Sequence, residues 1–276
     1  MGRVEGKVAL ITGAARGQGR SHAVRLAEEG ADIVGIDLPG AVSTVPYPLA
    51  TEDDMAETVA LVEKEGRRMV ALHADVRDAD AMTAAVERGV DELGRLDIVL
   101  ANAGIASFSP GSQMSQAMWR DVIDINLNGV WNTVRPTLPI LIDAGRGGAI
   151  VLTSSSAGLK GMANIPHYSA AKHALVGLGR SLAIELGPHR IRVNTVHPTS
   201  VNTDMILNDA TRRVFAPDAD VLDDGALAAA SLVTHLLPVP WVEAIDVSNA
   251  VLWLVSDEAR YVTGVALPVD AGSTVK

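Results

Sequence analysis

Thr12-Gly13-Ala14-Ala15-Arg16-Gly17-Gln18-Gly19 stands between the apolar run Val8 to Ile11 and the segment Arg20 to Glu29. In that segment Ala23, Val24, Leu26 and Ala27 recur at helical spacing. A buried strand, a glycine-rich turn and a helix in this order are one half of a strand–helix–strand unit. Gly30 stops the helix, and the β-branched run Asp32 to Asp37 (DIVGID) reads as the next strand. The alternation continues outward from there. Strands are expected at Met69 to Leu72, Asp97 to Ala101, Ala149 to Thr153, Arg192 to Val196 and Val265 to Val269. Helices are expected around Ala79 to Glu92, Met118 to Val134, Tyr168 to Glu185 and Val247 to Leu254. Strands alternating with helices require right-handed crossovers and a mostly parallel sheet covered on both faces. The expected architecture is an α/β doubly wound (Rossmann) fold in a single domain over residues 1–276.

Two segments depart from that plan. Leu38 to Thr51 (LPGAVSTVPYPLAT) has three prolines and no period, and reads as a loop inserted after the second strand. Asn202 to Pro240 is apolar but irregular, with Pro217, Pro238 and Pro240 as breakers. It reads as a lid over a crevice.

The bulk of the chain narrows its chemistry. With 48% hydrophobic and 20% charged residues it is globular rather than disordered. A net charge of -10 and only 3% aromatic residues argue against nucleic acid or an anionic membrane as partner. The absence of cysteine excludes disulfides, thiolate catalysis and cysteine–metal sites, and no metal site is expected. No apolar run approaches the roughly 18 residues that cross a bilayer. The first apolar run is too short for a signal-peptide core, so a cytoplasmic location is expected.

The glycine turn lets backbone N–H groups approach a pyrophosphate at a helix N-terminus, through Gly13, Ala15, Arg16, Gly17, Gln18 and Gly19. Asp37, with Leu38 behind it, ends the second strand eighteen residues after Gly19, where an acid meets an adenosine ribose diol. That carboxylate repels a 2′-phosphate and favours NAD. Arg16 pulls the other way, as a base that could pair with such a phosphate. Asp75-Val76 and Asn102-Ala103-Gly104 follow the third and fourth strands, at the ends where ligands of parallel sheets bind. Asp75 has the alternative of capping the next helix, and Asn102 that of holding a turn together.

Tyr168 and Lys172 lie at i and i+4, adjacent on one helical face. A phenol titrates near ~10, and a neighbouring ammonium together with a positive nicotinamide would lower that value toward use as a proton carrier. Ser155 lies thirteen residues upstream among Ser154, Ser155 and Ser156, where a hydroxyl could hold a substrate oxygen against the tyrosine; plain turn chemistry is the alternative. Asn126 lies inside an otherwise apolar helix and needs partners, which a relay water and the Lys172 region would supply. Thr153, at the end of the fifth strand, is a further cofactor-binding candidate, and Pro198, Thr199, Val201 and Thr203 follow the sixth strand, where a nicotinamide amide would find partners. Ser107, Phe108, Leu159, Met162, Met205, Phe215 and Trp241 are candidate substrate walls, with ordinary core as the alternative for several.

Taken together these residues resemble the short-chain dehydrogenase/reductase family in its single-domain form, from about Lys7 to Gly272. The marks are TGAARGQG at Thr12 to Gly19, DV at Asp75, NAG at Asn102, and Asn126, Ser155, Tyr168 and Lys172 in order. The family pattern often has a second asparagine before NAG, where this chain has Ala101, and glycine after Pro198, where it has Thr199. A narrower likeness rests on the insertion, HLLPVPWVE at His235 to Glu243 and DEARYVTG at Asp257 to Gly264. These resemble actinobacterial carveol dehydrogenases and mycofactocin-coupled relatives. That resemblance implies an NAD-dependent oxidoreductase acting on a terpenoid or other secondary alcohol, or on the matching ketone. It also implies a homotetramer, tightly held NAD covered by the insertion, and a mycofactocin-type redox carrier as partner. Leu175, Val176 and Leu178 are the residues expected to face a partner helix. An NADPH-linked carbonyl reductase, a non-catalytic NAD-binding protein and a sugar-nucleotide epimerase are the alternatives.

Overall fold

The computed structural model describes residues 2–215, 221 and 223–276. Its centre is a seven-stranded, wholly parallel sheet of order β3-β2-β1-β4-β5-β6-β7. The strands are β1 (Val8–Thr12), β2 (Asp32–Asp37), β3 (Met69–His73), β4 (Ile98–Ala101), β5 (Gly148–Thr153), β6 (Ile191–Pro198) and β7 (Ala266–Val269). Every residue of β1 and β4 is buried, as expected for strands covered on both faces. The order reverses direction between β1 and β4, so a crevice opens there at the carboxyl ends of the strands.

One face carries α1 (Gly17–Glu28), α2 (Glu52–Lys64) and α10 (Ala244–Val255), with Leu26, Met55, Val62, Val251 and Leu252 packed on Ile11, Ile33, Ile98 and Val151. The other face carries α3 (Ala79–Leu93), α4 (Gln116–Ile123), α5 (Gly129–Val134) and α7 (Pro166–Leu186). There Val86, Val122, Val130, Leu175 and Leu182 pack on Leu10, Val34, Val99 and Leu152. Leu175 is therefore fully buried in the core and cannot face a partner, unlike the partly exposed Val176 and Leu178.

Three local outcomes depart from the sequence pattern. First, α2 follows the insertion directly and is announced by a capping box. Thr51 accepts from the Asp54 N–H, and the Asp54 carboxylate accepts from the Thr51 N–H. Second, the expected helix over Met118 to Val134 is broken by one π turn, Asp124–Asn128, between α4 and α5. At this wider turn Asn128 Nδ2 donates to Asp124 Oδ1, and Gly129 passes so close to Val76 that a Cβ would sit 2.6 Å from it. A short α6 (Thr137–Ala144) then leads into β5. Third, the irregular segment 202–240 contains α8 (Asp209–Phe215) and α9 (Asp224–Leu232). Pro217, read as a breaker, lies outside the described residues.

Candidate active site

The crevice at the switch point has a cavity volume of about 180 Å³. Its floor is the glycine turn between β1 and α1. Gly13 has φ +67°, and a Cβ there would lie 2.9 Å from the Ala103 Cα, so the two loops approach as closely as backbone allows. Gly19 is still tighter, since a Cβ would fall 1.9 Å from the Gly13 carbonyl. Asn102 ties the loops together: its Nδ2 donates to the Thr12 carbonyl at 3.0 Å while Thr12 Oγ1 accepts its N–H at 3.1 Å. Asn102 thus both holds the turn and lines the crevice.

Asp37 stands at the end of β2 with Oδ2 accepting from Ala15 N–H (2.9 Å) and Oδ1 from Leu38 N–H (2.8 Å). Burial raises its carboxyl pKa, and these two N–H groups and the Arg16 charge oppose that rise. Each oxygen keeps a lone pair for a ligand hydroxyl. Arg16 does not wait for a phosphate. Its guanidinium is bonded to Asp204 at 2.9 Å and to the Pro48 carbonyl, bridging the glycine turn, the segment after β6 and the insertion. Asp75 lies on the crevice wall and pairs with Arg77, while Asp78 caps α3, so Asp75 is not the helix cap. Gln18 Oε1, in the turn itself, is buried without a partner. A glycine cradle, an acid with free lone pairs and an orphaned amide oxygen fit a dinucleotide with an unmodified adenosine ribose.

Gly13, Arg16, Gly17, Gln18, Gly19, Asp37, Leu38, Asp75, Val76, Asn102, Ala103, Gly104 and Thr203 all line this crevice, and so does Met205, expected as a substrate wall. Ala15 does not; it is fully buried and gives its N–H to Asp37. Thr199 turns its side chain away, with Oγ1 2.8 Å from His235 Nε2.

The chemical end is built by α7 and by the loops after β4 and β5. Lys172 Nζ lies 5.5 Å from the centre of the Tyr168 ring and donates to the Thr153 carbonyl at 2.7 Å. Burial lowers the lysine to about 7. Burial also raises the Tyr168 phenol, and the Ser155 hydroxyl beside it opposes that rise. In the chain alone burial thus outweighs the lowering expected beside Lys172, and the phenol stands above its ordinary value. The adjacency of Tyr168 and Ser155 does single out Ser155 among the three serines: Ser154 gives its hydroxyl to the Lys172 carbonyl at 2.8 Å.

Asn126 is fully buried and spends its amide on backbone. Oδ1 accepts from Ile105 N–H at 2.9 Å, and Nδ2 donates to the Ile105 carbonyl at 2.8 Å. Its amide partners are thus in the loop after β4, and it lies in the Lys172 region as expected: a Cβ on Gly104 would sit 3.2 Å from Asn126 Oδ1 and 3.5 Å from Lys172 Nζ. Tyr47 of the insertion holds the next residue, accepting Ala106 N–H at 2.9 Å. Ser107 Oγ meets His167 Nε2 at 2.9 Å, one residue before Tyr168. His197 Nδ1 donates to the Ser155 carbonyl at 2.8 Å. Tyr47, His167 and His197 were not singled out in the sequence, because each acts through a contact at least 42 residues away. Ser107 is buried, Leu159 is exposed, and Phe108, Met162, Phe215 and Trp241 are partly exposed.

Comparison with known proteins gives a consistent result. Residues 7–213 match the family model described as short chain dehydrogenase. A (-)-trans-carveol dehydrogenase of Rhodococcus erythropolis is 58% identical over the whole of both chains. A trans-4-hydroxycyclohexanecarboxylate dehydrogenase of Sinomonas cyclohexanicum is 37% identical, covering 99% of this chain and 94% of that one. Among solved structures, carveol dehydrogenase of Mycobacterium avium in complex with NAD superposes with a TM-score of 0.98 at 56% identity over all of both chains.

Proposed function

This chain belongs to the short-chain dehydrogenase family, and from that premise we propose how its residues carry the reaction and on what. It is an NAD-dependent alcohol dehydrogenase. When bound, NAD supplies the hydride acceptor and a positive ring at the catalytic end. In the proposed roles Tyr168 removes the alcohol proton as hydride leaves the carbinol carbon, and returns it in the reverse direction. Ser155 holds the reacting oxygen, and His197 fixes the Ser155 backbone beneath it. Lys172 keeps positive charge beside the phenol and stands ready to hold a ribose hydroxyl. Asn126 secures the loop that separates cofactor from substrate.

The observation that carries this reading is the packing of Tyr168 against Lys172, with Ser155 beside the phenol. Asp37 and the occupied Arg16 disfavour a 2′-phosphate, and so favour NAD over the NADPH-linked alternative. The substrate proposed is a lipophilic secondary alcohol on a ring, of which carveol is one example; both relatives named for their substrates act on ring alcohols. Residues 202–215 and 223–240 form the lid of its pocket, with Met205, Phe215 and Trp241 among the apolar walls. The insertion covers the cofactor, and a mycofactocin-type carrier reoxidises it. The protein works as a cytoplasmic homotetramer, with the half-exposed Trp119 and Trp131 and the exposed Ile184 available to partner subunits.

The test is Tyr168→Phe. Turnover of ring alcohols should fall at least about a thousandfold while NAD binding is retained. Normal turnover in that variant would overturn the assignment.

A further inference from the structure

Tyr47 belongs to the insertion, yet its hydroxyl bonds to the loop after β4, on the far side of the crevice from Asp37. It is 6% exposed, lines the crevice alongside Asn102 to Ile105, and accepts the Ala106 N–H. Ala106 follows Gly104 by two residues, and a Cβ on Gly104 would lie 3.5 Å from Lys172 Nζ. The phenol is therefore tied to the loop that passes the Lys172 ammonium, and Tyr168 and Arg16 both act on it electrostatically. Burial raises its pKa, so it keeps its proton across the working range of pH. A phenol is donor and acceptor at once. The acceptor role is filled by Ala106, but among the described residues nothing accepts the Tyr47 proton.

A buried donor with no partner beside an open cradle points to a ligand acceptor. We propose that Tyr47 contacts the cofactor, donating its phenolic proton to an oxygen on the nicotinamide half of the bound dinucleotide while Ala106 holds it from behind. This rests on the reading of the crevice as an NAD site. Under it the insertion reaches from the adenosine-binding Asp37 to the reacting end, and Tyr47 is where the two halves of the cradle meet. The insertion has a second, separate anchor, in which Thr44 Oγ1 donates to Asp121 at 2.6 Å.

The experiment compares full-length wild type with Tyr47→Phe and Thr44→Val, stripped of nucleotide and titrated by calorimetry with NAD and, separately, with AMP. Phenylalanine keeps the ring and removes only the hydroxyl. Tyr47→Phe is expected to weaken NAD by about five- to tenfold, the range of one lost hydrogen bond, and to leave AMP within about twofold. Thr44→Val, which loosens the insertion away from the crevice, should not weaken NAD selectively. Unchanged NAD affinity in Tyr47→Phe overturns the proposal. Equal weakening of NAD and AMP does so as well, as does the same NAD-selective loss in Thr44→Val, since either makes Tyr47 a mere tether. If wild type binds AMP but not NAD, the reading of the crevice itself fails, an outcome distinct from the others.

Discussion

Lys172 should destabilise the protein that needs it. The side chain is 2% exposed, donates to a single acceptor, the Thr153 carbonyl, and has its pKa lowered by burial from 10.5 to about 7. Between those values the unfolded chain binds a proton that the folded one does not, so stability rises with pH across the window. At pH 7 and below the folded protein carries the full cost of the buried ammonium, roughly 5 kcal/mol at about 1.4 kcal/mol per pH unit. Lys172→Met keeps the length of the side chain and removes the charge. It also leaves the buried Thr153 carbonyl unpaired, at about 1–3 kcal/mol. The variant should therefore be more stable than wild type by about 2–4 kcal/mol at pH 6 and should lose catalysis. Urea unfolding of the nucleotide-free proteins from pH 6 to pH 10 measures the difference, which should shrink as pH rises. A variant equal to or less stable than wild type at pH 6, or a wild-type profile flat from 7 to 10, would refute the reasoning.

The remaining predictions are more local. His22 is buried against Ser248 with its other ring nitrogen unpartnered, and burial lowers its pKa from 6.5 to about 4. Its folded pKa lies below the unfolded one, so stability is complete above pH ~6.5 and drains away toward pH 4, by up to about 3 kcal/mol. His22→Asn should flatten that part of the unfolding profile; an unchanged slope would exclude His22 as its source. Gly19→Ala places a methyl on the Gly13 carbonyl and should abolish NAD binding measured by calorimetry, because the turn cannot keep its shape. Thr199→Val and His235→Phe should each raise the KM for alcohol more than they lower kcat, and the double variant should cost no more than either alone. Additive effects would show that the two side chains do not act as a pair.

How legible the molecule was depends on the distance over which each feature is determined. The strand–glycine turn–helix unit, Asp37 at the end of β2 and the Tyr168–Lys172 pair are fixed by residues within one turn or one strand of each other. They emerge where expected. Helix α2 was also locally encoded, by Thr51 and Asp54, but its capping box followed a proline-rich loop that masked the signal. The partners of Asn126 were not legible. An isolated amide in an apolar helix announces a need for hydrogen bonds, but its spacing cannot say that Ile105 supplies both. Nor could Arg16 be read, because the groups that occupy it come from Pro48 and Asp204.

The departures at Ala101 and Thr199 illustrate the same limit from the other side. Ala101 is buried in the core, on the face where Val99 also packs, so the position has become part of the sheet's packing rather than its polar edge. Thr199 is more informative. The Val239 carbonyl can only accept, so His235 Nδ1 donates to it at 2.7 Å. Its other ring nitrogen, Nε2, bonds to the Thr199 hydroxyl at 2.8 Å. The same stretch is held a second time, because the Leu236 and Leu237 N–H groups both reach the Ala271 carbonyl. A glycine at 199 would have left the loop after β6 free of this tie. With threonine, the end of the 202–240 segment and the loop after β6 are joined by one bond between side chains. The departure and the distant histidine are thus two halves of a single feature, and a change in substrate preference that alters one should be expected to alter the other.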